Sequence, residues 1–270
     1  MVFSSHICLF YFLPLTLLLY YVAPRGMKAF TLTACSYLFY AWTNPWFVLL
    51  LLWSTMVDFV CGNMIYGHWR LPWQKAHPLR EDGTPDVPHW QRKAFVVVSL
   101  ISNLGMLGFF KYFMFLQENY LALYEMFGKT GGDVLVVLLP AGISFYVFES
   151  ISYNLDIYFR HAKPSSAWIF DAEKAKRKAI GVLKYWWLEL RSLNAFACYI
   201  TQFPHLVAGP IFRYQDLEKQ LHNRTHTVEK FARGVAFFAM GMAKKVIIAN
   251  HLLKKEKKKV ELNCFMRTGF

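Results

Sequence analysis

LPAGISFYVFESISYNLDIYFR, from Leu139 to Arg160, is long and apolar enough to cross a bilayer, since a span needs roughly 20 mostly apolar residues. It also carries Ser144, Glu149, Ser150, Ser152, Asn154 and Asp156. In hydrocarbon such groups are costly and face a bundle interior or a water-filled cavity. The stretch therefore reads as a helix beside a polar pocket rather than a plain anchor. On a helix Glu149, Tyr153 and Asp156 share one face. Two roles fit that face: lining a pathway, or tying the helix to its neighbours.

The chain around this stretch has the same character. Of its 270 residues 56% are hydrophobic and 18% aromatic, with 25 Phe, 15 Tyr and 9 Trp, more large apolar surface than a soluble domain needs. This is the composition of a membrane protein. Lys and Arg number 30 against 17 Asp and Glu, a net charge of +13. The excess lies between apolar runs, which points to the cytoplasmic face of a membrane rather than to nucleic acid. The five cysteines show no CxxC or paired metal spacing, so neither a disulfide framework nor a zinc site is inferred.

Toward the N-terminus lie apolar runs at His6–Val22, Ala29–Trp42, Trp46–Tyr66 and Ala94–Leu116. The first is not a secretory signal, because no basic region precedes it and no small-residue cleavage site follows. The second is short and reads as tilted or packed inside protein. The third holds Asp58, either a carboxylate near the end of a tilted helix or a pocket residue. Between the third and fourth, His68, His77 and His89 are too far apart for ligand spacing. Gln117 to Asp133 reads as a short amphipathic segment and a Gly-rich turn. Gly128, Lys129 and Thr130 do not make a phosphate loop, because Leu123 stands where that motif needs Gly.

Toward the C-terminus, DAEKAKRK at Asp171–Lys178 reads as an exposed helix. Trp186, Trp187 and Leu190 suggest an amphipathic helix at the membrane interface. Leu193–Phe212 is apolar but holds Pro204, Gly209 and Pro210, the pattern of a discontinuous or re-entrant helix. Phe231–Leu253 is the last apolar run, and the basic cluster Lys254–Lys259 after it suits anionic lipid headgroups. His222 and His226 have zinc-helix spacing, but Asn223 replaces the Glu that motif requires, so no metal is assigned. The basic segments at Arg25 and Lys28, Arg70–Lys93 and Arg160–Arg191 fall on one side when spans alternate, which predicts an external N-terminus. The expected fold is an all-α, polytopic transmembrane helical bundle with one broken segment. It forms a single membrane domain over 1–253, with polar loops at 67–93 and 160–192 and a basic tail at 254–270.

Four stretches carry a resemblance to a known family. MVFSSHICLFYFLPL at the start, SYLFYAW at Ser36–Trp42, LPAGISFYVFESISYNLDIY at Leu139–Tyr158 and FPHLVAGPIFRYQDL at Phe203–Leu217 resemble the alginate O-acetyltransferase (AlgI-type) branch of the membrane-bound O-acyltransferases, the MBOAT family. The resemblance implies a partial MBOAT fold in a cytoplasmic (inner) membrane. It implies an enzyme moving an acyl group, usually acetyl, to a hydroxyl of an exported polysaccharide such as alginate. Acetyl-CoA or another acyl donor is then a substrate, no cofactor is bound, and the partners are the lipid bilayer and proteins of polysaccharide acetylation and export. Two departures stand out. His161–Arg191 is longer than the family connection, and family members continue for several helices beyond GMAKKVIIAN, where the histidine regarded as catalytic lies. On this resemblance the chain is expected to be a truncated member, inactive alone. The rival readings are a transporter and a non-enzymatic membrane component of an export complex.

Acyl transfer to a hydroxyl needs a general base and stabilisation of charge on the thioester oxygen. The substrate-channel candidates are Ser144, Glu149, Asp156, Arg213 and Tyr214. Arg213 suits a donor phosphate, which guanidinium binds bidentately, or is an interfacial positive-inside arginine. His205 is the one histidine inside a family motif and the candidate base within this chain, set against a packed residue at a helix break.

Overall fold

Large apolar side chains stand on the exterior, and polar groups lie within a mainly apolar core. Ser54, Asp58, Ser99, Asn103, Ser150 and Asn154 are buried, whereas Trp53, Ile101, Phe109, Phe115 and Leu116 stand exposed. In water such an apolar exterior is a liability; in a bilayer it is the natural boundary, with polar groups turned inward. The computed structural model describes residues 5–24, 26–42, 45–69, 77–80, 84–126, 139–140, 142–174, 181–206 and 212–249. Those residues fall into two compact units, Met1–Asn223 and Arg224–Phe270. The expected boundary at residue 253, the basic tail and Gly128–Thr130 lie outside the described residues.

Among its described residues the regular structure of the first unit is helical, apart from an isolated antiparallel bridge between Leu79 and Pro85. A π-helical turn, Cys8–Phe12, leads into α1, Leu13–Val22. It is followed by α2 (Lys28–Ala41), α3 (Pro45–Tyr66), α4 (His89–Met126) and α5 (Ile143–Tyr158). Next come α6 (Ser165–Lys174), α7 (Val182–Ile200), the one-turn α8 (Phe203–Leu206) and α9 (Tyr214–His222). The second unit holds α10 (Val228–Ala243), capped by the Thr227 hydroxyl accepting from the Lys230 N–H, and a π-helical turn at Lys244–Ala249. Among the described residues two helices are long and apolar enough to cross a membrane, Pro45–Tyr66 and His89–Leu121. The protein is an all-α membrane protein.

Three helices form the centre, with α3 packed on α4 and both packed on α5. Sequence dictates this triangle through small residues as much as large ones. A Cβ on Gly62 of α3 would meet the Tyr153 ring at 2.6 Å and its hydroxyl at 2.8 Å, so the bare backbone lets α5 approach. Close approach at small residues is how helices associate where lipid removes the hydrophobic drive. α3 ends at Gly67, whose φ of +87° suits only a residue without Cβ. The N–H groups of Gly67 and His68 both bond the Asn63 carbonyl. Gly67→Ala is expected to cost about 1–3 kcal/mol, because the added Cβ also stands 2.4 Å from Val87 Cγ2. The detergent unfolding midpoint measures it, and an unchanged midpoint contradicts it.

Two segment boundaries differ from the sequence expectation. Gln117 does not begin a separate amphipathic segment, because α4 runs on through Met126; QENYLALYEM contains no Pro or Gly to stop it. Nor does a new helix start at Leu193. The interfacial pattern of Trp186, Trp187 and Leu190 and the apolar Ala195–Ile200 belong to one continuous helix, α7. Its exposed face carries the tryptophans and its buried face carries Leu188, Glu189, Ser192 and Phe196. The expected break comes after α7. Thr201 leaves helical geometry, Phe203–Leu206 makes a single turn, and Gly209 and Pro210 lie outside the described residues.

Candidate functional site

The break after α7 is bridged by aromatic rings, and that bridge sets the site. Tyr153 of α5 lies 4.3 Å from Phe196 of α7 and 4.7 Å, edge-on, from Tyr214 at the start of α9. Tyr199 lies 5.1 Å from Tyr214, and its hydroxyl donates to the Phe212 carbonyl at 2.8 Å. All four rings are buried. The stack brings the chain back to α5 after the break and places Arg213 beside it.

There an open groove of about 470 Å³ runs along α5. Phe148, Ile151 and Leu155 give it an apolar wall, and Ser152, Asp156, His161 and Arg213 also line it. Asp156 is held in place: its Oδ2 faces the Gln215 N–H at 3.4 Å, and its carbonyl accepts from the His161 N–H at 2.8 Å. A carboxylate, an imidazole and a guanidinium on one apolar wall form an amphiphilic surface. The carboxylate can accept from a hydroxyl, and the guanidinium can meet an anionic oxygen.

The sequence candidates separate here. Asp156 and Arg213 line the same groove, and Tyr214 is buried under it in the ring stack. Glu149 is buried on α5 and does not line this groove. Ser144 is partly exposed in the first turn of α5 and is also not a groove residue. The backbone of His205 lies in α8. His222 stacks on Trp168 at 5.5 Å.

Behind the groove is a polar cluster that the candidate set omits. Asp58 is fully buried. Its Oδ1 accepts from Ser99 Oγ (2.6 Å), Asn103 Nδ2 (2.9 Å) and Asn154 Nδ2 (2.8 Å), and Asn103 also reaches Oδ2 at 2.9 Å. Ser54 adds bonds to Asn103 Oδ1 at 3.0 Å and to Asp58 Oδ2 at 3.3 Å. Three helices are thereby joined through one carboxylate, which is in no ion pair among the described residues. The groups that donate to it are neutral hydroxyls and amides. The signal was present in the sequence. Ser54 with Asp58, and Ser99 with Asn103, are polar pairs at i,i+4 inside apolar helices, and Asn154 is in the central stretch.

A second carboxylate braces the loop after α3. Glu189 Oε1 accepts from His68 Nε2 at 2.9 Å and Trp69 Nε1 at 3.0 Å. Burial pushes its pKa up, but the hydrogen bonds from His68 and Trp69 outweigh that and hold the carboxyl below its ordinary 4.5. A depressed carboxyl contributes stability above its unfolded value and loses it as pH falls through the folded one. The unfolding midpoint is therefore expected to drop on acidification below pH 4.5, and the Glu189→Gln variant should lose that part of the drop. Identical acid profiles contradict the assignment.

The chain is similar in sequence to known proteins. The chain is 36% identical over 252 residues to a probable alginate O-acetylase AlgI of Azotobacter vinelandii, covering 93% of this chain and 42% of that protein. It is 34% identical over 252 residues to the probable alginate O-acetylase AlgI of Pseudomonas aeruginosa, covering 40% of it. A peptidoglycan O-acetyltransferase of Helicobacter pylori is 25% identical over 263 residues, 45% of its length. The chain thus spans less than half the length of these relatives. No family model and no solved structure matches.

Proposed function

We propose that this chain, which belongs with the AlgI-type members of the membrane-bound O-acyltransferases, takes part in O-acetylation of an exported polysaccharide, alginate being the substrate named for its relatives. The observation that carries this reading is the similarity at 34–36% identity along 93% of the chain. The groove is the chemistry consistent with it. Asp156 would accept a hydrogen bond from the acceptor hydroxyl, and Arg213 would hold an anionic oxygen of the acyl donor, acetyl-CoA or an acyl carrier. The apolar wall of Phe148, Ile151 and Leu155 would shield the thioester from water.

The reading includes a multi-pass topology in the cytoplasmic membrane with the N-terminus outside, supported by basic residues clustered in alternate connections. It also includes partner proteins that deliver and export the polysaccharide. Nothing favours the transporter or the non-enzymatic component over it. Deleting the gene tests it: the exported polysaccharide should lose its O-acetyl groups, read by proton NMR, while its yield is maintained. Full acetylation after deletion, or loss of export with acetyl groups retained, would overturn the proposal.

A further inference from the structure

At the C-terminal end of α5 a second cavity, about 100 Å³, carries a different charge pattern from the groove. Arg92 of α4, Arg160 and Lys163 line it together with Thr84, Tyr66 and Ile157, and no carboxylate is among the lining residues. Cations are favoured where a helix ends, because its last carbonyls are partly negative. That accounts for Arg92, which donates to the Tyr158 carbonyl and lies over the Tyr158 ring at 5.1 Å. It does not account for the others. The remaining carbonyls of α5 are already taken by N–H groups: Leu155 by Phe159, Asp156 by His161, and Ile157 by Arg160.

Of the nearby acids, Glu218 accepts from the Lys163 backbone N–H at 2.8 Å rather than from its ammonium, and two others are engaged at the surface. Asp86 is paired with Arg80 at 2.6 Å. Lys163 reaches Asp171 only at 3.7 Å, with both side chains about half exposed, a pairing of little worth in water. Arg160 forms no ion pair among the described residues. It also holds a left-handed backbone, φ +63°, a conformation uncommon outside glycine and costly to maintain. The residue with this left-handed backbone carries a guanidinium that is in no ion pair among the described residues.

We infer that this pocket binds a phosphate group, held by Arg160 and Lys163 with Arg92 behind them. A cavity of this size admits one phosphate, and guanidinium with ammonium is the donor set that phosphate oxygens take. Its position at the mouth of the loop between α3 and α4 puts it on the side where the basic connections gather. Two phosphates can reach that side: that of a soluble acyl donor, and that of an anionic lipid headgroup. Assigning the donor's phosphate rests on the function proposed above; the pocket itself rests on its charges.

The full chain in phosphatidylcholine nanodiscs is titrated with coenzyme A by calorimetry. In a second arm, nanodiscs of mixed phosphatidylcholine and phosphatidylglycerol are analysed by native mass spectrometry for retained lipid. Arg160→Gln is expected to weaken the phosphate ligand about tenfold, and Arg160→Gln/Lys163→Gln about a hundredfold, as for charge-assisted hydrogen bonds lost singly and together. The unfolding midpoint should not move. Arg191→Gln, which removes a surface cation over Trp187, should change neither arm. Loss confined to coenzyme A assigns a soluble donor, and loss confined to phosphatidylglycerol assigns a headgroup. Absence of both ligands from the wild type, equal retention in the double variant, or an equal effect of Arg191→Gln would each overturn the pocket. Acetylation surviving gene deletion would remove the donor assignment and leave the pocket standing.

Discussion

Asp58→Ala should destabilise the protein by about 3–5 kcal/mol, the scale seen when a buried charged network loses a partner. The reason is geometric. Ser99, Asn103 and Asn154 each aim a donor at this one carboxylate at 2.6–2.9 Å, and all three are buried. Removing the acceptor strips Ser99 Oγ of this bond and leaves Asn103 and Asn154 only their contacts to Ser99, at 3.0 and 2.9 Å, and each lost bond to the carboxylate costs about 1–3 kcal/mol. Asp58→Asn keeps one acceptor oxygen but turns an amide N–H₂ toward other donors, so its loss should be smaller. Unfolding in detergent, followed by circular dichroism, reads both variants. Equal, small effects of the two would show that the cluster does not hold α3, α4 and α5 together.

Gly62→Val is the second large effect, expected at about 1–3 kcal/mol or above for overpacking. The nearest atoms to a new Cβ are the Tyr153 ring at 2.6 Å and hydroxyl at 2.8 Å. Tyr153 cannot swing away, because Phe196 and Tyr214 pack against it at 4.3 and 4.7 Å. The strain should therefore propagate to α9 and disturb Arg213 as well as stability. Gly62→Ala should show the same effect at smaller size, and Tyr153→Leu should relieve it in the double variant. If Gly62→Val unfolds at the wild-type midpoint, α3 and α5 do not approach as described.

Much of the helical layout was legible because its signals are local. Apolar runs marked the helices, and Thr43, Asn44 and Pro45 separated α2 from α3. Pro204 with Gly209 and Pro210 marked the interruption after α7. The continuity of α4 and α7 was harder to read, since polarity changes at Gln117 and at Leu193 without any residue that stops a helix. Asp58 remained ambiguous in sequence because its role depends on donors from two other helices. The same limit applies to the groove: Asp156 and Arg213 meet only because the Tyr153, Tyr199 and Tyr214 rings fold the chain back on α5. Spacing along a chain does not record such a return. The Arg92, Arg160 and Lys163 pocket was hidden too, since in sequence these residues look like ordinary positive-inside charge.

The most direct test of the account is the acetyl content of polysaccharide exported by cells whose only copy of the gene carries Asp156→Asn or Arg213→Gln. Both residues line the groove, and Asp156→Asn keeps an acceptor oxygen for the Gln215 N–H, so membrane levels of the protein should match the wild type. The account predicts at least about a tenfold fall in O-acetyl groups, one charge-assisted contact's worth, with polysaccharide yield unchanged. Wild-type acetylation in both variants would contradict it and remove the groove from the reaction.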